Sequence, residues 1–323
     1  MRLGVLTNPV ALHNRRFPFT HLRILDGLAS EADAVVTADQ TEIPAAVHHL
    51  LNERGTSVLA INGGDGTIHA VLNAITAACG KEALAGRVRL PMLLLLNGGT
   101  YNMAARAMQT GGDPVSTVHR FLARYRERPL SSVVARRVGL LEVRGEGRAP
   151  MLGMFFGSQV VCSALELCDR MGSGYVGLAK LLGRGVVSYA TGGAFLRENL
   201  WRLTPEDPTV RVDGRTMKQV SAVVAATVDM KLAKGMVWAL TTAGSPRGFH
   251  VKVIHAKAPT DIVRLLPSLL WEVRHPMIRA FPEATSVRVS GSFTLDGELY
   301  DHRGALDITL SPYRFDVVAG GEL

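Results

Sequence analysis

Two turns of the same form constrain this chain more than any other feature: Asn62-Gly63-Gly64-Asp65-Gly66-Thr67 and Asn97-Gly98-Gly99-Thr100-Tyr101-Asn102. Each follows a short, continuous apolar run, residues 57–61 or 91–96, and each leads straight into a segment of helical period, residues 68–78 or 101–108. Such runs read as strands buried on both faces, the condition of a parallel sheet covered by helices. Glycines here let backbone approach a phosphate closely, and the helix that follows points its unpaired N–H groups and positive dipole end at the same place. Asp65 adds a carboxylate able to hold Mg²⁺ or to orient a hydroxyl. In an open parallel sheet both loops leave the carboxyl ends of their strands, so together they can grip one nucleotide. A plainer reading stands beside this one, a glycine-rich βα turn with Asp65 as helix N-cap, since neither turn matches GxGxxG or GxxxxGK[ST].

The rest of the first 130 residues keeps the same rhythm, with strands at 3–7 and 34–37 and helical segments at 19–28 and 43–51. From about residue 131 it gives way to longer alternating runs, at 132–143, 220–227, 236–242, 250–255 and 286–294, as in an antiparallel, sandwich-like region. Residues 164–182, interrupted by Gly172, Ser173 and Gly174, read as two short helices that line a lipid pocket or cover the sheet. The expected architecture is therefore an α/β N-terminal domain with a parallel sheet, residues 1–130, plus a β-rich, sandwich-like C-terminal domain, residues 131–323. The last strand is free to return to the first domain.

Composition narrows the setting. No apolar run reaches the roughly 18 residues needed to span a bilayer, and Met1-Arg2 leads directly into a strand-like run without the pattern of a secretory signal. A cytoplasmic protein, peripheral to the membrane at most, is expected. Cys79, Cys162 and Cys168 lack paired CxxC spacing and read as buried thiols. A net charge of +8 calls for a polyanionic partner, and residues 231–279 hold eight Lys or Arg against two acids. That stretch shows no recognition module, which argues against nucleic acid and leaves an anionic membrane surface or a phosphate-bearing substrate.

At Gly63–Thr67 the sequence reads GGDGT and resembles the signature loop of the diacylglycerol kinase, sphingosine kinase and NAD kinase superfamily. Asn8-Pro9 resembles its opening Asn-Pro, Gly99, Thr100 and Asn102 its second nucleotide loop, and Asp296-Gly297-Glu298 the DGE of its lipid-kinase branch. The resemblance implies ATP and Mg²⁺ as cosubstrate and cofactor. Asn8, Gly63, Gly64, Asp65, Gly66, Thr67, Gly98, Gly99, Thr100 and Asn102 would bind the nucleotide, with Asp65 also at the metal. Asp65 and Glu298 would be catalytic, Glu298 taking the proton of a lipid hydroxyl. Independently of any family, Asp296-Gly297 between apolar residues is a strong hairpin signal, and such a turn can present Glu298.

Three departures qualify the likeness. Met103 stands where many of these diacylglycerol kinases carry an Asp, and a thioether cannot replace a hard Mg²⁺ ligand; this moves the expected substrate toward a ceramide or sphingoid lipid. The glycine-rich continuation of the Asn-Pro loop is replaced by Val10, Ala11, Leu12 and His13, followed by Asn14, Arg15 and Arg16. Ser245-Pro246-Arg247-Gly248 replaces an acidic segment of many bacterial relatives, so their second, structural metal site is not carried over to this chain. The sequence points to an ATP-dependent kinase acting on a lipid hydroxyl at an anionic membrane surface, with homodimerisation left open. The alternatives are an NAD kinase-like enzyme and a catalytically weak lipid- or nucleotide-binding protein of the same fold. A candidate docking stripe, residues 260–273, carries apolar residues at helical spacing between basic flanks, although packing on a sheet explains it better and Pro267 would kink or split the helix.

Overall fold

The continuous apolar runs of the first third form a parallel sheet, and the alternating runs after it form antiparallel ones. The computed structural model describes residues 1–20, 23–24, 32–172, 174–200, 209–232, 237–240, 247–256, 261, 263–265, 267–268 and 274–322. Most of the segments expected as helices at 19–28 and 260–273, the ends of the run 236–242, and Ser245-Pro246 lie outside the described residues. The chain divides into two compact units, Met1–Leu140 with Pro312–Leu323, and Leu141–Ser311.

In the first unit, strands β1 (Leu3–Thr7), β2 (Ala32–Val36), β3 (Val58–Gly63) and β4 (Met92–Asn97) lie parallel in the order β2-β1-β3-β4. Val317, near the chain's end, pairs with Leu93 in parallel on the far side of β4. The helices are α1 (Leu12–Arg16), α2 (Ile43–His48), α3 (Asp65–Leu84), α4 (Met103–Ala107) and α5 (Pro114–Tyr125). Side chains alternate across the sheet: Val58, Ala60, Leu94 and Leu96 pack with Val115, Val118, Phe121 and Tyr125 of α5. Leu59, Ile61, Leu93 and Leu95 are equally buried, and α3, which packs on β3, buries Ile68, Val71, Leu72 and Ile75 at helical spacing. Each such side chain contributes about 1.5–3 kcal/mol relative to exposure. With both faces covered, ligands are left the ends of the strands.

Strand β5 (Ala135–Gly145) carries the chain into the second unit. There follow β6 (Met151–Gly153), β7 (Phe155–Gln159), helices α6 (Val160–Met171), α7 (Gly174–Thr191) and α8 (Ala194–Leu200), then β8 (Val210–Val212), β9 (Arg215–Met217) and β10 (Ala222–Ala226). The last group is β11 (Met230–Leu232), β12 (Val237–Leu240), β13 (Phe249–Ile254), β14 (Ile278–Ala284), β15 (Ser286–Ser290), β16 (Phe293–Leu295), β17 (Glu298–Tyr300) and β18 (Ala305–Val318). One antiparallel sheet has the order β14-β13-β10-β7-β16-β17; in another, β18, β15, β8 and β9 are successive antiparallel neighbours. Val210, Val212, Val287 and Ile308 from the latter share one core with Phe156, Val223, Val251 and Phe293 from the former, as in a sandwich.

Two expectations are corrected here. The run 286–294 is two strands in different sheets, because Gly291 at φ +98° turns the chain between them. The segment 164–182 belongs to two substantial helices of 12 and 18 residues. Gly172 at φ +128° ends the first of these, and at Gly177 the carbonyl of Cys168 leaves no room for a side chain. Among the described residues no helix is long and apolar enough to cross a membrane.

Candidate nucleotide site and a turn-borne glutamate

The first unit brings together three loops, after β1, β3 and β4. Asn14, from α1 in the first of them, donates through Nδ2 to the carbonyls of Asn8 (2.8 Å) and Asn62 (3.1 Å), and its backbone N–H donates to Gly98 O (3.3 Å). Asn8 in turn donates its backbone N–H to Asn62 O (2.9 Å) and its Nδ2 to Thr67 Oγ1 (2.9 Å). All four side chains are buried, so these bonds form in a low dielectric, where losing a partner is expensive. Asn8 and Thr67 thus hold the loops to one another. Asn14, absent from the residues expected from sequence, joins all three loops; a lone asparagine in a basic run has no periodic signature.

The glycines answer to protein packing first. A Cβ on Gly98 would lie 2.6 Å from Gly63 N and 2.7 Å from Asn62 Oδ1, and one on Gly63 would strike Thr67 at 2.5 Å. Gly64 and Gly99 touch backbone to backbone, without space for a side chain between them. Asn102 is left-handed (φ +49°), accepts from Gly99 N–H through Oδ1 (2.8 Å) and donates to Gly99 O through Nδ2 (3.0 Å). Its side chain therefore closes the second loop on itself. That left-handed residue also delays the helix expected at 101–108 until Met103.

Asp65 departs from the plain N-cap reading. Gly64 is the N-cap of α3 and has no side chain with which to cap it; Asp65 is the first helical residue. Its carboxylate reaches the other loop instead, with Oδ2 accepting from Met103 N–H (3.1 Å) and Oδ1 from Ala104 N–H (3.0 Å). The N-cap of this 20-residue helix consequently makes no side-chain cap hydrogen bond at the place where the loops converge, beside one carboxylate. An anion accompanied by a cation suits that combination.

A resident metal cage is a different matter: among the described residues, no three His, Cys, Asp or Glu gather to hold an ion. The first unit's donors fit a Mg²⁺ that arrives on a nucleotide's phosphates, with Asp65 as the carboxylate that would hold it, since Mg²⁺ typically takes one or two carboxylates and keeps its waters.

Glu298 lies in the second unit. Asp296 (φ +53°) and Gly297 (φ +89°) form a two-residue turn with both φ positive, closing β16 on β17 with Leu295 opposite Glu298. Asp296 Oδ1 accepts from the N–H groups of Met154 and Phe155, both at 2.8 Å, so this buried carboxylate is committed to the sheet. The same device recurs at Asp213-Gly214 (φ +48° and +77°) between β8 and β9, where Asp213 Oδ1 accepts from Thr285 N (2.8 Å), Thr285 Oγ1 (2.8 Å) and Ser286 N (3.0 Å). Asp-Gly is therefore a hairpin device in this chain, and Glu298 follows it as the first residue of β17. Half-buried, Glu298 shares a strand face with Tyr300. Tyr300 stacks on Phe293 (5.1 Å between centroids) beneath the Arg148 guanidinium (5.4 Å). Burial, and then the charges of Glu298 and Asp296, hold the Tyr300 phenol above its usual pKa. The cysteines are free and buried, and burial pushes the thiols of Cys162 and Cys168 up to about 12 and about 11.

Comparison with known proteins agrees with this construction. Residues 2–133 match the family described as the diacylglycerol kinase catalytic domain. A structure from Bacillus anthracis, assigned provisionally as a diacylglycerol kinase, superposes with a TM-score of 0.66 at 13% identity, covering 100% of this chain and 98% of that one. Another from the same organism, described as a diacylglycerol kinase, gives 0.63 at 12% identity over 98% and 96%. At such identities the likeness speaks for the fold, across both units. No curated protein sequence matches.

Proposed function

We propose, from the match of residues 2–133 to the diacylglycerol kinase catalytic domain family, that this protein is an ATP-dependent lipid kinase, transferring the γ-phosphate to a hydroxyl of a diacylglycerol-, ceramide- or sphingoid-type lipid. The observation that carries the reading is the uncapped amino end of α3 where the loops meet, with Asp65 on the spot. Backbone N–H groups of the 63–67 and 98–100 loops would bind the phosphates, and Asp65 would hold Mg²⁺ or complete the hydrogen-bond network while keeping the loops together. Mg²⁺, when bound with the nucleotide, neutralises charge that develops on the transferring phosphoryl group. Glu298 would accept the proton of the attacking hydroxyl or orient it. Positioning and electrostatics supply most of the rate in such transfers.

A second reading, a weakly catalytic binder of lipid or nucleotide, is favoured by Met103, which provides a backbone N–H to Asp65 and no metal ligand. The test is transfer of labelled γ-phosphate from ATP to diacylglycerol, ceramide, sphingosine and monoacylglycerol in mixed micelles, with NAD⁺ as a soluble acceptor and Asp65→Ala as the blank. One labelled lipid, absent with Asp65→Ala, supports the kinase and names its acceptor. Labelled NADP⁺ overturns the lipid assignment, and ATP binding without any product supports the second reading.

A further inference from the structure

The loop after β1 carries an exposed surface that the nucleotide site does not use. Val10, Phe17 and Phe19 are 55%, 56% and 69% exposed, and among the described residues Phe19 is the most exposed large apolar side chain. They accompany Arg15 and Arg16, both exposed, with His13 packed on the Phe17 ring (4.9 Å between centroids). No acid precedes Asp26 in the chain. Among the described residues, Asp113 is a carboxylate that feels His13 of this loop, and it is occupied in capping α5 through Ser116. Isolated exposed apolar residues are ordinary, but two phenylalanines, a valine and two arginines within ten residues form an amphipathic basic wedge.

We propose that residues 10–19 dock the protein on an anionic lipid surface, the aromatic rings entering the headgroup boundary and the arginines meeting lipid phosphates. The choice of a membrane rests on the lipid-kinase reading and on charge, since the segment is wholly basic. The wedge is fastened to the loops of the candidate site: Asn14, between Leu12 and the arginines, donates through Nδ2 to the carbonyls of Asn8 and Asn62 and through its backbone N–H to Gly98 O. A surface that holds α1 therefore also steadies all three loops, which makes the loop end of the first unit the membrane-facing end.

Sedimentation of the full chain with phosphatidylglycerol–phosphatidylcholine vesicles, and with phosphatidylcholine alone, tests the proposal. The protein should partition to the anionic vesicles in a salt-sensitive manner. Phe17→Ser with Phe19→Ser should weaken partitioning by at least about tenfold, and Arg15→Gln with Arg16→Gln by about fivefold for each charge removed. Both double variants should bind ATP as the parent does, which excludes misfolding as the cause. An unaltered chain that ignores anionic vesicles, or variants that bind them undiminished, overturns the proposal. So does concentration-dependent dimerisation that the phenylalanine variant abolishes, because the face would then serve a second copy. No readout needs phosphotransfer, so docking and the kinase reading can fail separately.

Discussion

Gly98→Ala isolates the effect of loop packing from that of backbone strain. Gly98 lies outside the left-handed region, so alanine adopts its backbone conformation without penalty, and the added methyl is the whole perturbation. That methyl would meet Gly63 N at 2.6 Å, Asn62 Oδ1 at 2.7 Å and Asn14 Nδ2 at 2.9 Å, where Cβ atoms essentially never approach within 3.0 Å. One neighbour is backbone and another, Asn14, is held by its bonds to Asn8 and Asn62, so the clash cannot be relieved by rotating a loose side chain. Overpacking of this kind costs about 1–3 kcal/mol. The smaller conformational freedom of alanine in the unfolded chain returns about 0.4–1 kcal/mol, leaving a net loss near 1–2 kcal/mol. Function should suffer more than stability, because displacements of about 1 Å in positioning groups can reduce rates by about 10²-fold. ATP affinity by calorimetry and unfolding by circular dichroism provide the two readings. Gly183→Ala, in helix α7 with nothing within 4 Å of the new methyl, is the control and should be neutral or stabilising. If Gly98→Ala binds ATP and unfolds as the parent does, the loops are not packed as described.

The two acids of the Asp296-Gly297-Glu298 triplet should separate cleanly. Asp296→Ala leaves the N–H groups of Met154 and Phe155 without their acceptor and places alanine at φ +53°, so denaturant unfolding should register a loss of roughly 2–4 kcal/mol. Glu298→Gln should stay within about 0.5 kcal/mol of the parent while phosphotransfer falls severely; matching losses of stability would refute the division of roles. The cysteines give a check on burial: raised thiol pKa values, about 12 at Cys162 and about 11 at Cys168, leave almost no thiolate at pH 8. Native protein should therefore be nearly inert to a disulfide reagent, and denatured protein should release its three thiols.

The parallel sheet was legible because two signals coincide at β3 and β4, an apolar run buried on both faces and a glycine turn directly after it. What the turns do was less legible. That Asn8, Asn14 and Asn62 would share one network depends on β1 lying beside β3, a pairing written in no local pattern. Likewise Asp65 was readable as an acid at a helix start, but not as a clamp on a loop 38 residues further along. In the second unit, alternation continues through Gly291, so a period-two reading runs β15 and β16 together although they lie in different sheets. The Asp213-Gly214 hairpin escaped for the opposite reason, since strands of three residues are too short to show a period.

The clamp also explains how Met103 can stand where an acid was expected. What the geometry requires of that position, and of Ala104 after it, is a backbone N–H aimed at Asp65, and any residue except proline provides one. The substitution therefore removes a hard ligand while leaving the loop-to-loop contact whole, so nucleotide binding should survive better than metal-dependent turnover. On the proposed reading Asp65 would do two things with one carboxylate, holding the loops and facing the cation. Its charge would tie them together: an anion and cation bound at the amino end of α3 would act on the carboxylate that closes the second loop, so occupancy of the site would favour closure.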